Sequence, residues 1–168
     1  MFDGGDSLSG SYAASTDTYM SVFAVAAPAD TTGDYFIYAQ STSKTTGLPA
    51  FGISTDSSNN FKDFMWGAGQ EAQYNPSTTN LATLAAIRRA ASPQNKVWLN
   101  AVAGATTTAA TDLTLGTNIS LGCIFVDDNG GVGTFNFNGY ISELIVWRND
   151  QTSNVSGIDS NMGTFYGV

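Results

Sequence analysis

Short apolar runs, interrupted by turn-forming residues at close intervals, restrict most strongly how this chain can fold. About ten such runs occur, and turn signals return roughly every 8–12 residues. The clearest run is Tyr140–Trp147, and the strongest turn signal is Asp127–Gly131. No internal repeat of about 20–50 residues is visible that would indicate a solenoid or a propeller. The pattern predicts an all-β fold, with two antiparallel sheets packed as a β-sandwich of the jelly-roll type.

Composition supports this prediction. The 168 residues include 20 Thr, 17 Ser and 18 Gly, whereas only 12% are charged. That charged share is about half the usual quarter, which argues against a charge-rich helical protein. Threonine and aromatic residues favour strands, and glycine favours the turns between them. The length favours one domain that spans residues 1–168.

The charge balance excludes some partners. The net charge is −8, there is no His, and Lys and Arg together number six. A nucleic-acid-binding protein needs a basic face, which this chain lacks. Membrane insertion is not expected, because the long uncharged stretches 97–111 and 113–126 contain Asn, Thr and Gly. The single cysteine, Cys123, is predicted to be a buried small apolar residue.

Individual strands can be assigned from the same pattern. Tyr19–Ala27 is predicted to be a strand, with Asp34–Ala39 as its hairpin partner. A second hairpin is predicted from Pro49–Ser54 and Asn60–Trp66, around the polar turn between them. The other predicted strand segments are Lys96–Val102, Leu113–Gly116, Asn118–Val126, Gly133–Gly139 and Tyr140–Trp147.

One segment is ambiguous. Asn80–Ala91 is rich in Ala and Leu, so helix propensity slightly favours a helix with Asn80 as its cap. In a strand, Ala85 and Ile87 would point inward together. The residues of this segment alone leave both structures open.

The last third of the chain resembles the end of the laminin-G-like domains of the concanavalin A-like lectin/glucanase superfamily. The segments that carry this resemblance are Phe137–Trp147, Asp150–Asn154, Gly157–Asn161 and Phe165–Val168. Phe2–Leu8 is similar to the Phe-Asp-Gly opening of these domains. Val97–Asn100 is similar to their Val-x-Leu-x-Asn-Gly strand, with Ala101 in place of the usual Gly. The resemblance implies a concanavalin A-like sandwich in which Thr83–Arg89 is a strand and a short turn of helix precedes the carboxyl terminus.

The polar tail is similar to that of domains in bacteriophage virion proteins and in secreted proteins of marine bacteria. This resemblance implies a location on the virion surface, as a capsid decoration or a fibre component, with an extracellular location as the alternative. Other virion subunits and a host-surface glycan would be the partners. Symmetric assembly is usual for such proteins, so a homo-oligomer is expected, with a trimer favoured in a fibre. An upstream strand common in the family is missing, so the chain is expected to be part of a longer appendage or a compact capsid-surface protein.

Catalysis is not expected. Glycoside hydrolysis needs two carboxylates on either side of the scissile bond, and the glucanase branch carries a Glu-x-Asp-x-x-Glu strand that is absent here. Glu71 and Glu143 each stand alone in the sequence. Without His, neither a Ser-His-Asp triad nor a His-zinc site can form. We expect a non-enzymatic protein that uses no catalytic residue.

Binding of carbohydrate is the first functional hypothesis. Lectin sites combine an aromatic ring beneath the sugar with Asn and Asp side chains that bond its hydroxyls. The loop from Trp66 to Asn75 offers Trp66, Tyr74 and Asn75, and Asn59 and Asn60 lie at the preceding turn. The alternative is that Trp66 is a core residue covered by Tyr74. In that case the domain would be a structural virion subunit that binds no glycan.

Calcium is the most plausible ion, because it accepts oxygen ligands from Asp and Asn. The best candidate cluster is Asp127, Asp128 and Asn129, and the second is Asp3 with Asp6. The alternative is that these residues bond their own backbone as ordinary turn residues. A cofactor is not otherwise expected.

Overall fold

The fold consists of two packed antiparallel sheets. The computed structural model describes residues 1–5, 8–11, 19–30, 33, 35–41, 50–56, 58, 60–65, 72–75, 78–89, 95–107, 117–123 and 136–168. The first sheet contains, in spatial order, β1 (Phe2–Asp3), β12 (Asn138–Trp147), β3 (Tyr19–Pro28), β8 (Ala82–Arg89), β9 (Asn95–Leu99) and β10 (Val102–Thr107). The second sheet contains β2 (Leu8–Ser11), β11 (Asn118–Leu121), β4 (Tyr35–Ser41), β5 (Ala50–Thr55), β6 (Phe61–Met65) and β7 (Gln73–Tyr74). The predicted all-β sandwich is confirmed.

Strand β3 lies in the first sheet and is buried on both faces. Met20 and Val22 belong to the core between the two sheets, whereas Phe23 and Val25 belong to a second cluster on the opposite face. The helix α1 (Val155–Tyr166) covers that second cluster. Two-sided burial explains why β3 reads as a nearly continuous apolar run rather than a strict alternation.

The carboxyl-terminal helix is longer than the short turn that the resemblance implied. A 3-10 turn at Thr152–Asn154 leads into the twelve residues of α1. Val155 and Met162 bury its inner face against the first sheet. The helix ends where Gly167 adopts a φ of 74° and donates its N–H to the carbonyl of Gly163. Within the described ranges, no helix is both long and apolar enough to cross a membrane.

The predicted hairpin between Tyr19–Ala27 and Asp34–Ala39 is wrong. Strand β3 pairs with β12 and β8, so both of its edges are occupied within the first sheet. Strand β4 lies in the second sheet, where it pairs with β5 and β11. The chain therefore crosses from one sheet to the other between these two strands, which a turn signal between two apolar runs does not reveal. The second predicted hairpin, β5 with β6, is confirmed.

The ambiguous segment is a strand. Ala82–Arg89 forms β8, which pairs with β3 on one side and β9 on the other. Ala85 and Ile87 face the α1 side together, as the strand interpretation required. Cys123 and Phe137 are fully buried. Leu113–Gly116, Asp127–Gly131 and Gly133–Phe135 lie outside the described residues, as do the last three residues of Asn118–Val126.

The turn between β9 and β10 places an alanine in the left-handed region. Asn100 has a φ of 48° and Ala101 a φ of 62°. Glycine adopts this conformation without the steric cost that a Cβ imposes. We expect Ala101→Gly to raise the free energy of unfolding by about 0.5–1 kcal/mol, measured by urea denaturation. Ala103→Gly, inside β10, is the control and should lower it by a similar amount. Equal effects of the two substitutions would contradict this account.

Candidate functional site

The turn between β5 and β6 is organised by the carboxylate of Asp56. Its Oδ1 accepts the backbone N–H groups of Ser58, at 2.9 Å, and of Asn60, at 3.0 Å. The side-chain amide of Asn60 donates to both Asp56 oxygens at 3.1 Å. The backbone N–H of Asp56 donates to the Asn60 carbonyl at 3.1 Å. These hydrogen bonds, which all join residues of the turn itself, hold it in one conformation.

Asp56 is also held in its charged form. Burial by itself would raise the pKa of this carboxyl group. The hydrogen bonds from Asn60 and Ser58 and the attraction of Lys62 outweigh that effect, so the pKa lies below its ordinary value. The Lys62 ammonium is 3.8 Å from Asp56 Oδ2. Asp56 is therefore an anion at neutral pH and is already paired.

The candidate loop from Trp66 to Asn75 is tied to this turn at its base. The side-chain amide of Asn75 donates to Asn60 Oδ1 at 2.8 Å. One step away, β6 pairs with β7, with Phe61 opposite Tyr74. Tyr74 is half-buried and Asn75 is exposed. The structure therefore brings Asn60 and Asn75 together, whereas Tyr74 packs against the core between the sheets.

Asp63 makes a second connection across the same base. Asp63 and Ala72 are both fully buried. The carboxylate of Asp63 accepts the N–H of Ala72, and the N–H of Asp63 donates to the Ala72 carbonyl at 3.2 Å. A buried carboxylate is stable only when its oxygens are bonded. Asp63 thus fixes the point at which the chain returns from the loop to the sheet.

Of the remaining predicted site residues, the structure describes only Asp3. Trp66 and Asn59 lie outside the described residues, as do Asp127, Asp128, Asn129 and Asp6. Asp3 accepts the N–H of Gly5 at 3.0 Å, which is the turn role that the alternative interpretation gave it. Where the structure is described, no group of three or more His, Cys, Asp or Glu side chains could hold a metal ion.

No family model matches the chain, and no curated protein matches it in sequence. Several solved structures do match its fold. The heptameric SAP-like pentraxin of Limulus polyphemus superposes with a TM-score of 0.75 at 14% identity, over 94% of this chain and 79% of the pentraxin. Mouse laminin α1 domains LG4–5 superpose with a TM-score of 0.62 at 14% identity, over 86% of this chain and 39% of the laminin chain. The CBM40 of the Ruminococcus gnavus IT-sialidase, bound to α2,3-sialyllactose, superposes with a TM-score of 0.62 at 12% identity. The match covers 86% of this chain and 84% of the CBM40 chain.

The fold is a concanavalin A-like sandwich. Pentraxin, laminin LG and CBM40 domains share this architecture at 12–14% identity to the chain, so the likeness establishes the fold alone. Within the sandwich, the candidate site lies at the β5–β6–β7 edge of the second sheet, opposite the sheet that α1 covers.

Sequence reasoning missed two acidic residues of this sandwich edge. Asp56 had a usable signal, since Asp followed by Ser-Ser-Asn-Asn is typical of a turn in which the carboxylate bonds backbone N–H groups. Asp63 had only a weak signal, a charged residue between the apolar residues of β6. Its partner, Ala72, lies nine residues further along the chain. That partner could not be identified without the register of β6 against β7.

Asn60 makes its side-chain hydrogen bonds within the protein. Its exposed fraction is 9%, and its amide nitrogen and oxygen both bond within the protein. Asn60 thus supports Asn75, which is exposed to solvent. Contact of either residue with a ligand stays a prediction.

Proposed function

We propose that this chain is a non-catalytic, lectin-like domain that binds glycan through the loop of residues 66–75. The observation that carries the proposal is the Asn60–Asn75 hydrogen bond of 2.8 Å, which fixes an exposed Asn directly after the half-buried Tyr74. Sugar recognition needs polar groups at fixed positions next to an apolar surface. An amide that is already oriented loses little conformational entropy when a sugar hydroxyl bonds to it.

Two carboxylates near the loop, among the residues that the structure describes, support a binding role over a catalytic one. Asp56 is occupied by backbone and side-chain hydrogen bonds and by Lys62. Asp63 is fully buried and bonded to Ala72. A glycosidase needs one carboxyl group that can donate a proton and a second that faces the sugar. Instead, Asp56 holds the turn between β5 and β6, and Asp63 holds the base of the loop.

The biological setting of this proposal rests on the sequence. The polar tail and the low charge favour display on a virion surface as a decoration or fibre subunit, with a secreted bacterial carbohydrate-binding module as the alternative. In either setting, several copies of a weak sugar site raise the overall affinity. A homo-oligomer is therefore part of the proposal.

The test is a glycan-array screen of the purified domain, followed by titration of the best glycan. Asn75→Ala should lower the affinity about tenfold, because the fixed amide is lost. Trp66→Ala should abolish binding if its ring lies under the sugar. Asn80→Ala removes another exposed amide and should leave the affinity unchanged.

The calcium prediction is tested by repeating the screen with a chelator. Loss of binding would support a metal site at Asp127, Asp128 and Asn129. If the folded protein binds no glycan on a broad array, the lectin proposal is wrong and the domain is a structural virion subunit.

A further inference from the structure

A groove lies on the opposite side of the molecule, between the outer face of β12 and helix α1. Its volume is about 530 Å³. Glu143, Ile145 and Trp147 line one wall, because residues two apart in a strand point to the same face. Leu144 and Val146 point the other way, into the core between the sheets. The groove is separate from the candidate glycan loop, which belongs to the second sheet.

Aromatic rings form much of the groove and are held in place. Trp147 packs edge-to-face on Phe23, with the ring centroids 5.3 Å apart. The hydroxyl of Tyr166 donates to the Ser142 carbonyl at 3.2 Å, next to an irregularity in the β12–β3 pairing. Phe165 packs against Tyr166 at 5.0 Å, yet 81% of its surface is exposed. Several aromatic and aliphatic side chains line this one groove, and a contiguous exposed apolar surface is typical of an interaction site.

Glu143 supplies the only acidic side chain among the described residues that line the groove. It is half-buried, and its carboxylate has no hydrogen bond or ion pair with any described side chain or backbone group. Lys and Arg are absent from the described lining. The groove therefore joins an unpaired carboxylate to aromatic faces, and both attract a cation.

We propose that this groove binds an arginine side chain of a partner protein. A guanidinium group is planar and weakly hydrated, so it can stack on the ring of Trp147 or Tyr166 while its N–H groups bond the Glu143 carboxylate. Charge complementarity favours the same partner, since the chain carries a net charge of −8 and attracts basic segments. For the same reason a second copy of this chain is a poor occupant.

The proposal is tested with N-acetyl-arginine amide, which presents the side chain without terminal charges. Binding is followed by NMR through the indole N–H signal of Trp147, assigned by its loss in Trp147→Phe. We expect a saturable shift with a dissociation constant in the millimolar range, about 1–10 mM. The matched compound is N-acetyl-citrulline amide, which has nearly the same shape but no charge and should cause no saturable shift.

Two variants locate the site. Glu143→Gln should weaken arginine binding at least tenfold, since it removes the charge and keeps the shape. Phe165→Ala should weaken it several-fold, and because Phe165 is so exposed this variant is expected to stay folded. Asp3→Asn is the control, because it removes one negative charge elsewhere and can still accept the N–H of Gly5.

Three outcomes would overturn the proposal. They are no saturable shift with the arginine compound, equal binding of the citrulline compound, and unchanged affinity in folded Glu143→Gln. None of them bears on the glycan proposal, which concerns the other sheet.

Discussion

Gly139→Ala is expected to lower the free energy of unfolding by about 3–5 kcal/mol, the largest effect of any substitution considered for this protein. Gly139 lies in β12 with a φ of 148°, a conformation that side chains rarely adopt. A Cβ at this position would lie 2.2 Å from the carbonyl oxygen of Ala27 and 3.0 Å from the ring of Phe137. Strand β12 is held between β1 and β3, so the backbone has little room to move away.

Gly157→Ala is the matched control. Gly157 lies in α1, and an added Cβ would meet nothing within 4 Å. Alanine is favoured over glycine in a helix, so this variant should be more stable by about 0.5–1 kcal/mol. Urea denaturation followed by tryptophan fluorescence measures both. A Gly139→Ala protein as stable as the wild type would contradict the close approach of β12 to β3.

Asp63→Ala is expected to have the second-largest effect, a loss of about 2–4 kcal/mol. The substitution leaves the buried N–H of Ala72 without its acceptor and opens a small cavity in a fully buried position. An unsatisfied buried donor costs more than the hydrogen bond itself contributed. Because Asp63 closes the base of the loop of residues 66–75, this variant should also lose affinity for any glycan that the loop binds.

Asp63→Asn distinguishes the contribution of the hydrogen bond to stability from that of the negative charge. Asparagine keeps an acceptor oxygen at nearly the same position, so this variant should lose roughly half as much stability as Asp63→Ala. The same urea titration gives both values, and glycan titration of each folded variant gives the effect on binding. Equal losses in the two variants would show that the bond to Ala72 does not carry the contribution assigned to it.

The two proposed binding regions, one for glycan and one for a basic partner, lie on different sheets of the sandwich. The loop of residues 66–75 follows β6 and includes β7, both in the second sheet, whereas the aromatic groove lies on the α1 side of the first. A protein that binds glycan with one face can therefore be held by a basic partner with the other. The Glu143→Gln and Asn75→Ala variants should each affect one activity and leave the other unchanged.

Much of the fold could be predicted from the chain itself. Runs such as Tyr19–Ala27 and Tyr140–Trp147 contain their own strand signal, because β propensity and apolar patterning are local properties. The resemblance also outweighed the helix propensity of Asn80–Ala91, within which Ala82–Arg89 forms β8. Burial between β3 and β9 outweighs a local preference of a few tenths of a kcal/mol per residue.

The pairing of elements that are distant in sequence was not predictable. A turn signal before Asp34–Ala39 indicates that the chain reverses there, but not whether it stays in one sheet or crosses to the other. Likewise, Trp66, Tyr74 and Asn75 could be nominated as a loop, whereas the bond from Asn75 to Asn60 depends on how that loop returns.

By itself, then, the sequence determined the all-β class, most of the strands and the loop that carries the candidate glycan site. Only the tertiary structure decided which strands are neighbours, that Asp63 holds the base of the loop, and that Glu143 faces an aromatic groove. The physical reason is the distance along the chain over which each interaction acts. Strand and turn preferences act over a few residues, whereas a buried carboxylate or an aromatic groove exists only after segments far apart in the chain have packed together.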